Sequence, residues 1–368
     1  MIALEAVQVI EIMSNQAWKI TAPGQVTLVD LDKPKPGPRQ ALIRLQAASL
    51  NYRDILVMNH DPSYPAMAKQ DLIPCSDGAG VVEEAGPQSE WKAGDRVIIQ
   101  PNTWVTGFDP RDFDMFKTMG GGAIDGTLRR YLVWDDDRLI KAPDGLTIEE
   151  SSTLYTAGAT AWNALVHGLF KLEPGMTVLT QGTGGVSCYA IQIAAAKGAT
   201  VIATSSSDDK LQVAKKLGAK HLINYRKTPN WADEVLKATD GKGVDIVADV
   251  VGAASIEQVI KATRQVGLIR LLGVLGNSDE AVGITNSLLF GAKTRESRPL
   301  YVRCWTDTAL VQPVLGAGSK ELSQELADFL CEHQIHPPIA ATFEFEQADK
   351  ALEALKSLSV PGKIVVKI

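Results

Sequence analysis

Short apolar runs alternate with amphipathic stretches through the middle of the chain. Runs bounded by turn residues predict strands over 177–180, 200–204, 221–224, 243–250 and 267–275, with helices over 208–217 and 255–263. Because strands that alternate with helices pair in parallel and are covered on both faces, this region is predicted to be a doubly wound α/β domain.

Before this region the pattern changes to short strands separated by turn residues. From residue 16 to about residue 133, strands are predicted at 17–20 and 41–47, and a short helix at 55–58. Such a segment is predicted to fold as a barrel-like β domain. A helix near 322–330 and a final strand at 363–367 are expected to return to it.

One stretch of the first region, Pro101 to Gly126, has little periodicity. It is rich in aromatic residues and includes three consecutive glycines at 120–122. A loop of this length is typical of a lid, a binding loop or a surface loop without function, and the sequence leaves these alternatives open. Residues 1–12 precede the first predicted strand and are interpreted as an extension.

A glycine-rich turn follows the first strand of the α/β domain. Gly182, Gly184 and Gly185 precede Val186, which begins a helix with apolar residues at 186, 190, 193 and 194. A dinucleotide pyrophosphate needs a sharp turn, a backbone without a Cβ near the phosphates, and the N–H groups at a helix start. Ser187 replaces the usual third glycine and is small enough for close packing. We therefore predict a dinucleotide site rather than an ordinary turn.

The residues about twenty positions after the glycine-rich turn usually determine whether such a site binds NADP or NAD. Ser205 stands where an NAD site usually has a carboxylate, and Ser206 with Lys210 offers a hydroxyl and a charge suited to a 2′-phosphate. The alternative places Asp208 or Asp209 on the ribose of NAD. These acids also suit the first turn of a helix, so NADP(H) is the predicted cofactor.

Composition narrows the functional classes. The 368 residues are 45% hydrophobic and 22% charged, with a formal net charge of −6, so no basic surface for nucleic acid is expected. The four cysteines form no metal-binding spacing and suit a reducing compartment. No signal peptide or apolar run of transmembrane length is visible. We expect a cytoplasmic protein with a small-molecule substrate and no membrane partner.

Several motifs in order resemble the medium-chain dehydrogenase/reductase superfamily, and most closely its zinc-free, quinone-oxidoreductase-like branch. The motifs are Gly94-Asp-Arg-Val97, Gly182-Thr-Gly-Gly-Val186, Leu217-Gly-Ala219 with Ile223-Asn-Tyr225, and Pro361-Gly-Lys-Ile-Val365. The resemblance implies a discontinuous GroES-like catalytic domain, 16–148 and 306–368, around a Rossmann domain at 149–305. Related enzymes are often dimers, which leaves a homodimer open.

The resemblance also bears on zinc. Zinc-dependent relatives hold the metal with a Cys, a His followed by Glu, and a second Cys. The matching positions here are Asn51, Ser76 with Asp77, and Thr156, and the lobe that elsewhere carries four cysteines has none. Neutral amide and hydroxyl groups do not replace thiolate and imidazole, so no metal is predicted.

Further site residues are implied by the same resemblance. Lys210 and Tyr225 are implied to contact the 2′-phosphate, and Asn51 and Thr160 to lie near the nicotinamide, with Thr156 beside them. Gly252, Gly273 and Leu275 are assigned to the cofactor because they lie at strand ends of a doubly wound sheet, although loop glycines are the alternative.

The predicted reaction is NADPH-dependent reduction of an activated double bond in an enone or quinone. Asn51 and Tyr52 are the candidate catalytic residues. A tyrosine carries its proton at neutral pH and can donate to a developing enolate, while Asn51 is expected to orient the substrate or the cofactor. The alternative for Tyr52 is a packing role. Zinc-free alcohol or aldehyde chemistry and a non-catalytic NADPH-binding protein remain as other functions.

Overall fold

The computed structural model describes residues 15–64, 66–109, 112–273, 300–303, 308–314, 316–357 and 360–368. The strands are β1 (Asn15–Ala22), β2 (Gln25–Leu31), β3 (Gln40–Leu50), β4 (Asp77–Ala85), β5 (Arg96–Ile99), β6 (Tyr131–Asp135), β7 (Leu139–Lys141), β8 (Thr177–Gln181), β9 (Thr200–Ser205), β10 (His221–Asn224), β11 (Val244–Asp249), β12 (Thr263–Leu271), β13 (Leu300–Arg303), β14 (Thr308–Pro313), β15 (Ile339–Glu344) and β16 (Lys363–Lys367).

The helices are α1 (Tyr52–Met58), α2 (Ile148–Ser152), α3 (Thr160–Val166), α4 (Gly185–Ala196), α5 (Asp208–Lys216), α6 (Trp231–Ala238), α7 (Ile256–Ala262), α8 (Lys320–Glu332) and α9 (Ala348–Lys356). A π-helical turn, Leu154–Ala159, joins α2 to α3. A capping box begins α2, since Thr147 Oγ1 accepts from the Glu150 N–H and the Glu150 carboxylate accepts from the Thr147 N–H. No described helix has the length and apolarity that crossing a membrane requires.

The predicted doubly wound sheet is confirmed. Its described strands run β10-β9-β8-β11-β12-β14-β13, all parallel except β13, which pairs antiparallel with β14. Strand residues alternate between its faces: Val178 packs with α3, α4 and α8, whereas Leu179 packs with α6 and α7. Apolar cores therefore form on both sides, as the uninterrupted apolar runs required.

Two differences from the prediction affect the arrangement of the nucleotide-domain sheet. β12 begins at Thr263 rather than Gly267, because backbone pairing with β11 continues across a bulge where Val266 has a φ of +57°. β14, which was assigned to the catalytic domain from residue 306 onward, pairs in parallel with β12. We therefore place the return to the first domain after Pro313.

The remaining strands form the GroES-like domain that was predicted. β15, β16, β3, β4, β5 and β7 form a second sheet, with β6 paired to β3 and the β1–β2 hairpin packed against it. β16, at the end of the chain, pairs antiparallel with β3 and parallel with β15. This pairing brings the last residues beside the segment that leads from β3 into α1.

Candidate active site

The glycine-rich turn has the geometry of a phosphate cradle. Gly182 has a φ of +74°, and its N–H donates to Thr204 O at 2.7 Å. A Cβ on Gly184 would meet no atom within 4 Å, so the turn is open where α4 presents its first N–H groups. Ser187 is buried, and its hydroxyl donates to Gln181 O at 2.7 Å, which fastens the helix to the strand where a third glycine is usual.

The other predicted cofactor residues lie in the same glycine-rich turn or at the ends of neighbouring strands. Val186 is partly buried against the core of the sheet, and Gly185 packs so closely that a Cβ would fall 2.5 Å from Lys363 Cδ. Gly252 has a φ of +79°, and its N–H donates to the Asp249 carboxylate at 2.8 Å. A Cβ on Gly273 would lie 2.7 Å from Val250 O. Leu275 lies outside the described residues.

The predicted ribose end lies where β9 and β10 finish side by side. Asn224 pairs with Ser205, and the Tyr225 N–H donates to Ser205 O at 3.1 Å. Ser205 is buried, Ser206 is partly buried, and Tyr225 is exposed. Lys210 follows in the first turn of α5. The turn thus gathers the residues that the sequence assigned to a 2′-phosphate.

Asp208, one of the two competing ribose ligands beside Asp209, has other partners. Its carboxylate accepts from Asn224 Nδ2 at 2.7 Å and pairs with Lys227. The hydrogen bond from Asn224, followed by that from Lys227, lowers the pKa of Asp208. The carboxylate is therefore engaged at the start of α5.

A buried carboxylate organises the site between the two domains. Asp77, at the start of β4, accepts from Ser76 Oγ at 3.1 Å, from the Thr156 N–H at 3.2 Å and from the Thr156 hydroxyl. The Ser76 and Thr156 oxygens are 3.3 Å apart. Thr127 Oγ1 donates to the Asp77 carbonyl at 2.8 Å. The π-helical turn that positions Thr156 is a distortion often found at functional sites, and the sequence did not predict it.

Asn51 immediately precedes α1, and both its backbone and its side chain are hydrogen-bonded. Its N–H donates to Asp54 Oδ2 at 2.8 Å, and its side-chain oxygen accepts from Lys363 Nζ at 2.6 Å. Lys363 Nζ also donates to Leu50 O at 2.7 Å and lies 3.9 Å from Asp77 Oδ2. Lys363 thereby connects Asn51 to Asp77, which Thr156 contacts directly. Sequence reasoning had quoted Lys363 only as part of a motif.

Charges in this region are buried and paired. Burial lowers the pKa of Lys363, against the opposing effect of the Asp77 and Asp54 carboxylates. Burial raises the pKa of Asp54, against the opposing effect of Arg53. Burial alone would lower the pKa of Arg53, but the nearby Tyr64 and Asp54 raise it above its ordinary value. The negative charges of Asp54 and Asp77 are therefore balanced by the positive charges of Arg53 and Lys363.

Residues 37–144 match the alcohol dehydrogenase GroES-like domain, and residues 185–306 match the zinc-binding dehydrogenase family. A zinc-type alcohol dehydrogenase-like protein of Schizosaccharomyces pombe is 36% identical over 338 residues, 91% of this chain and 92% of that protein. This chain belongs to the medium-chain dehydrogenase/reductase superfamily. The predicted membership is confirmed.

Solved members of the medium-chain dehydrogenase/reductase superfamily share the fold. An NAD-dependent alcohol dehydrogenase has a TM-score of 0.78 at 30% identity, over 96% of this chain and 99% of that one. A Pseudomonas syringae quinone oxidoreductase has a TM-score of 0.73 at 23% identity, over 96% of this chain and 100% of that one. The protein is a medium-chain oxidoreductase.

The zinc that some medium-chain dehydrogenases bind does not fit the donor set of this site. Ser76 and Thr156 are neutral hydroxyls, the oxygen of Asn51 accepts from an ammonium group, and that cation already lies beside Asp77. Burial raises the pKa of the adjacent Cys75 thiol well above its ordinary value, which disfavours a thiolate. Within the described ranges, no three His, Cys, Asp or Glu side chains are arranged to hold a metal ion.

Tyr52 and Thr160 lie on elements that border this cluster. Tyr52 is partly buried in the first turn of α1, and its phenol makes no hydrogen bond to any residue that the structure describes. Thr160 is buried at the start of α3, four residues after Thr156. A second phenol is close by, since a Cβ on Gly121 would fall 2.7 Å from Tyr64 Oη and 3.1 Å from Arg53 Nη1. Sequence reasoning missed Tyr64 and Arg53.

The stretch from Pro101 to Gly126 contacts other parts of the protein in both its first and its second half. Gly107 N–H donates to Glu321 Oε2 at 2.8 Å, and Phe108 stacks on His167 with ring centroids 4.7 Å apart. At the other end, Arg53 Nη2 donates to Met119 O at 2.8 Å. The second half of this stretch therefore borders α1 and the Asp77 cluster.

Proposed function

We propose that this protein reduces an activated double bond of an enone or quinone with NADPH and without zinc. The observation that carries the proposal is the hydrogen-bonded cluster of Ser76, Asp77 and Thr156, which a buried ammonium group joins to Asn51. Ser76 and Thr156 carry hydrogen-bonding hydroxyls at positions where zinc-dependent relatives are expected to have metal ligands. Asn51 and Tyr52 are the proposed catalytic residues.

The reaction requires stabilisation of a developing oxyanion. NADPH, which the glycine-rich turn of Gly182 and Gly184 would hold, would supply a hydride to the carbon β to the carbonyl, and the displaced electron pair would then lie on the carbonyl oxygen. In our proposal the amide N–H of Asn51 and the phenol of Tyr52 donate to this oxygen, and a proton then adds to the α-carbon. Donors held rigidly in a buried site stabilise that charge more than water does.

Two features support NADP(H) over NAD(H). Asp208 is engaged by Asn224 and Lys227, so its carboxylate is not available to a ribose hydroxyl without breaking those contacts. Ser206 and Tyr225 directly follow the paired ends of β9 and β10, and Lys210 lies in the first turn of α5; their hydroxyls and positive charge suit a 2′-phosphate. Ser205, buried beside them, is proposed to shape the backbone of this turn.

The test is a substrate screen of the purified protein with a panel of enones, quinones, aldehydes and ketones. NADPH consumption is monitored by its absorbance. We expect NADPH consumption with enones or quinones and retention of activity in a chelator. Turnover of aldehydes or ketones alone would refute double-bond reduction. Tight NADPH binding with no turnover of the panel would favour the non-catalytic alternative.

Zinc-free alcohol or aldehyde chemistry is the second candidate function. The observation that favours it is that one relative at 36% identity is named a zinc-type alcohol dehydrogenase-like protein and a solved structure at 30% identity is named an NAD-dependent alcohol dehydrogenase. Oxidation of an alcohol needs a proton acceptor at the hydroxyl. Comparison of kcat/KM for enones with kcat/KM for alcohols at matched cofactor saturation separates the two functions.

A further inference from the structure

Lys363 connects the glycine-rich turn to Asn51. Its aliphatic stem packs beneath Gly185, and its Nζ reaches the oxygen of Asn51, 312 residues away in the sequence. The preceding residue, Gly362, donates its N–H to Thr183 O at 2.9 Å and forms a bridge with Gly184. One buried side chain thus touches both the proposed cofactor loop and a proposed catalytic residue.

The chemistry of lysine determines how the Asn51 amide is turned. An ammonium group donates hydrogen bonds and accepts none, so the atom of Asn51 that faces it at 2.6 Å must be the carbonyl oxygen. The amide nitrogen consequently points to the other side, where Nδ2 lies 3.3 Å from Ser49 O. Its second hydrogen has no acceptor among the described residues and can donate to a ligand.

We propose that Lys363 is a positioning residue, which orients Asn51 so that its N–H, and not its carbonyl oxygen, is presented to the reacting molecule. This inference rests on the proposed function, because the donor is useful only where negative charge develops. A reversed amide would direct an oxygen lone pair at the oxyanion and repel it. The inference is independent of which enone or quinone is the substrate.

The first test compares Lys363→Met with Lys363→Arg in single-turnover hydride transfer, with NADPH affinity measured separately. We expect Lys363→Met to slow hydride transfer on the order of a hundredfold, because a donor is lost from the oxyanion. Lys363→Arg keeps the donors and should recover most of the rate. Lys367→Met is the matched control, since Lys367 lies in the same strand with an exposed side chain and should leave the rate unchanged.

A double-mutant cycle with Asn51→Ala separates positioning from general structural support. If Lys363 acts through Asn51, Lys363→Met should have little further effect in the Asn51→Ala background. An equal rate loss in both backgrounds, or an unchanged rate in Lys363→Met alone, would overturn the inference.

A readout without turnover keeps the inference testable if the proposed function fails. In protein labelled with ¹⁵N at asparagine, the side-chain NH₂ signals of Asn51 are assigned by their loss in Asn51→Ser. We expect these signals to shift or broaden in Lys363→Met and to stay in place in Lys367→Met. Unchanged signals in Lys363→Met would contradict the inference even in a protein that reduces no enone.

A second substitution, Lys363→Gln, keeps the inference testable if Lys363→Met does not fold. Lys363→Gln carries the same expectation, because its neutral amide can present either oxygen or nitrogen to Asn51 and no longer dictates the orientation. Thermal unfolding of each variant identifies those that are folded. Asn51 signals in folded Lys363→Gln that match those of the natural protein would count against the inference.

Discussion

Ser76 and Thr156, 80 residues apart in the chain, place their hydroxyl oxygens 3.3 Å from each other at the buried Asp77 carboxylate. Both residues occupy positions that resemblance assigns to metal ligands in zinc-dependent relatives. The pairing uses their hydrogen-bonding capacity within the protein. The arrangement is therefore complete as a polar cluster without a metal ion.

This pairing predicts that the enzyme does not need zinc. Activity should be unchanged after prolonged treatment with a chelator, because neutral hydroxyl and amide groups are poor zinc ligands. A zinc-dependent alcohol dehydrogenase treated in parallel is the control and should lose activity. Elemental analysis that finds one tightly held zinc per chain would contradict the prediction.

Lys210→Ala should weaken NADPH binding and leave NADH binding nearly unchanged. A charge-assisted hydrogen bond to the 2′-phosphate exists only with NADPH, and its loss should raise the Kd about ten- to a hundredfold. Lys215→Ala, in the exposed last turn of the same helix, is the matched control. The cofactor assignment is wrong if the unmodified protein binds NADH as tightly as NADPH.

Tyr52→Phe distinguishes a proton-donating phenol from a packing ring. If Tyr52 donates to the developing oxyanion, turnover with an enone should fall on the order of a hundredfold, with cofactor affinity retained. Tyr64→Phe tests the neighbouring phenol in the same way and serves as the comparison. The measurement is the maximal rate under conditions in which a deuterium isotope effect shows that hydride transfer limits turnover. An unchanged rate in Tyr52→Phe would assign it to packing.

Asp249→Asn should change how stability depends on pH. Burial raises the pKa of Asp249 from its ordinary value of 3.8 to about 6, against the opposing hydrogen bonds from the Gly252 and Val251 N–H groups. The folded state therefore favours the protonated carboxyl. Its contribution to stability is fully present below the unfolded pKa and is lost as pH rises through the folded pKa.

The comparison with the amide makes this effect measurable. Asparagine does not titrate, so the free energy of unfolding of Asp249→Asn relative to the natural protein should rise by about 2 kcal/mol between about pH 4.5 and about pH 7.5. Any constant effect of the amide cancels between the two pH values. Urea unfolding without cofactor provides the measurement, and a difference that does not vary with pH would refute the prediction.

The elements of the nucleotide domain could be predicted closely from the sequence. β10 has the predicted bounds, α5 begins at the predicted Asp208, and the glycine-rich turn lies between a strand and a helix as expected. These features follow from local chemistry, because strand and helix periodicity and the positive φ of Gly182 depend on neighbours in the chain. The division into a β-rich domain and a doubly wound domain followed from the same patterns, whereas the GroES-like assignment followed from the family resemblance.

The composition of the site depended on long-range packing. Lys363 reaches Asn51 because β16 pairs with β3, and Thr156 reaches Asp77 because a π-helical turn points it there. Neither contact leaves a periodic signal in the sequence. β14 was assigned to the wrong domain for the same reason, since only its pairing with β12 reveals its sheet. Local sequence determined the elements and the residue types of the site, whereas sheet pairing between distant segments decided which side chains meet.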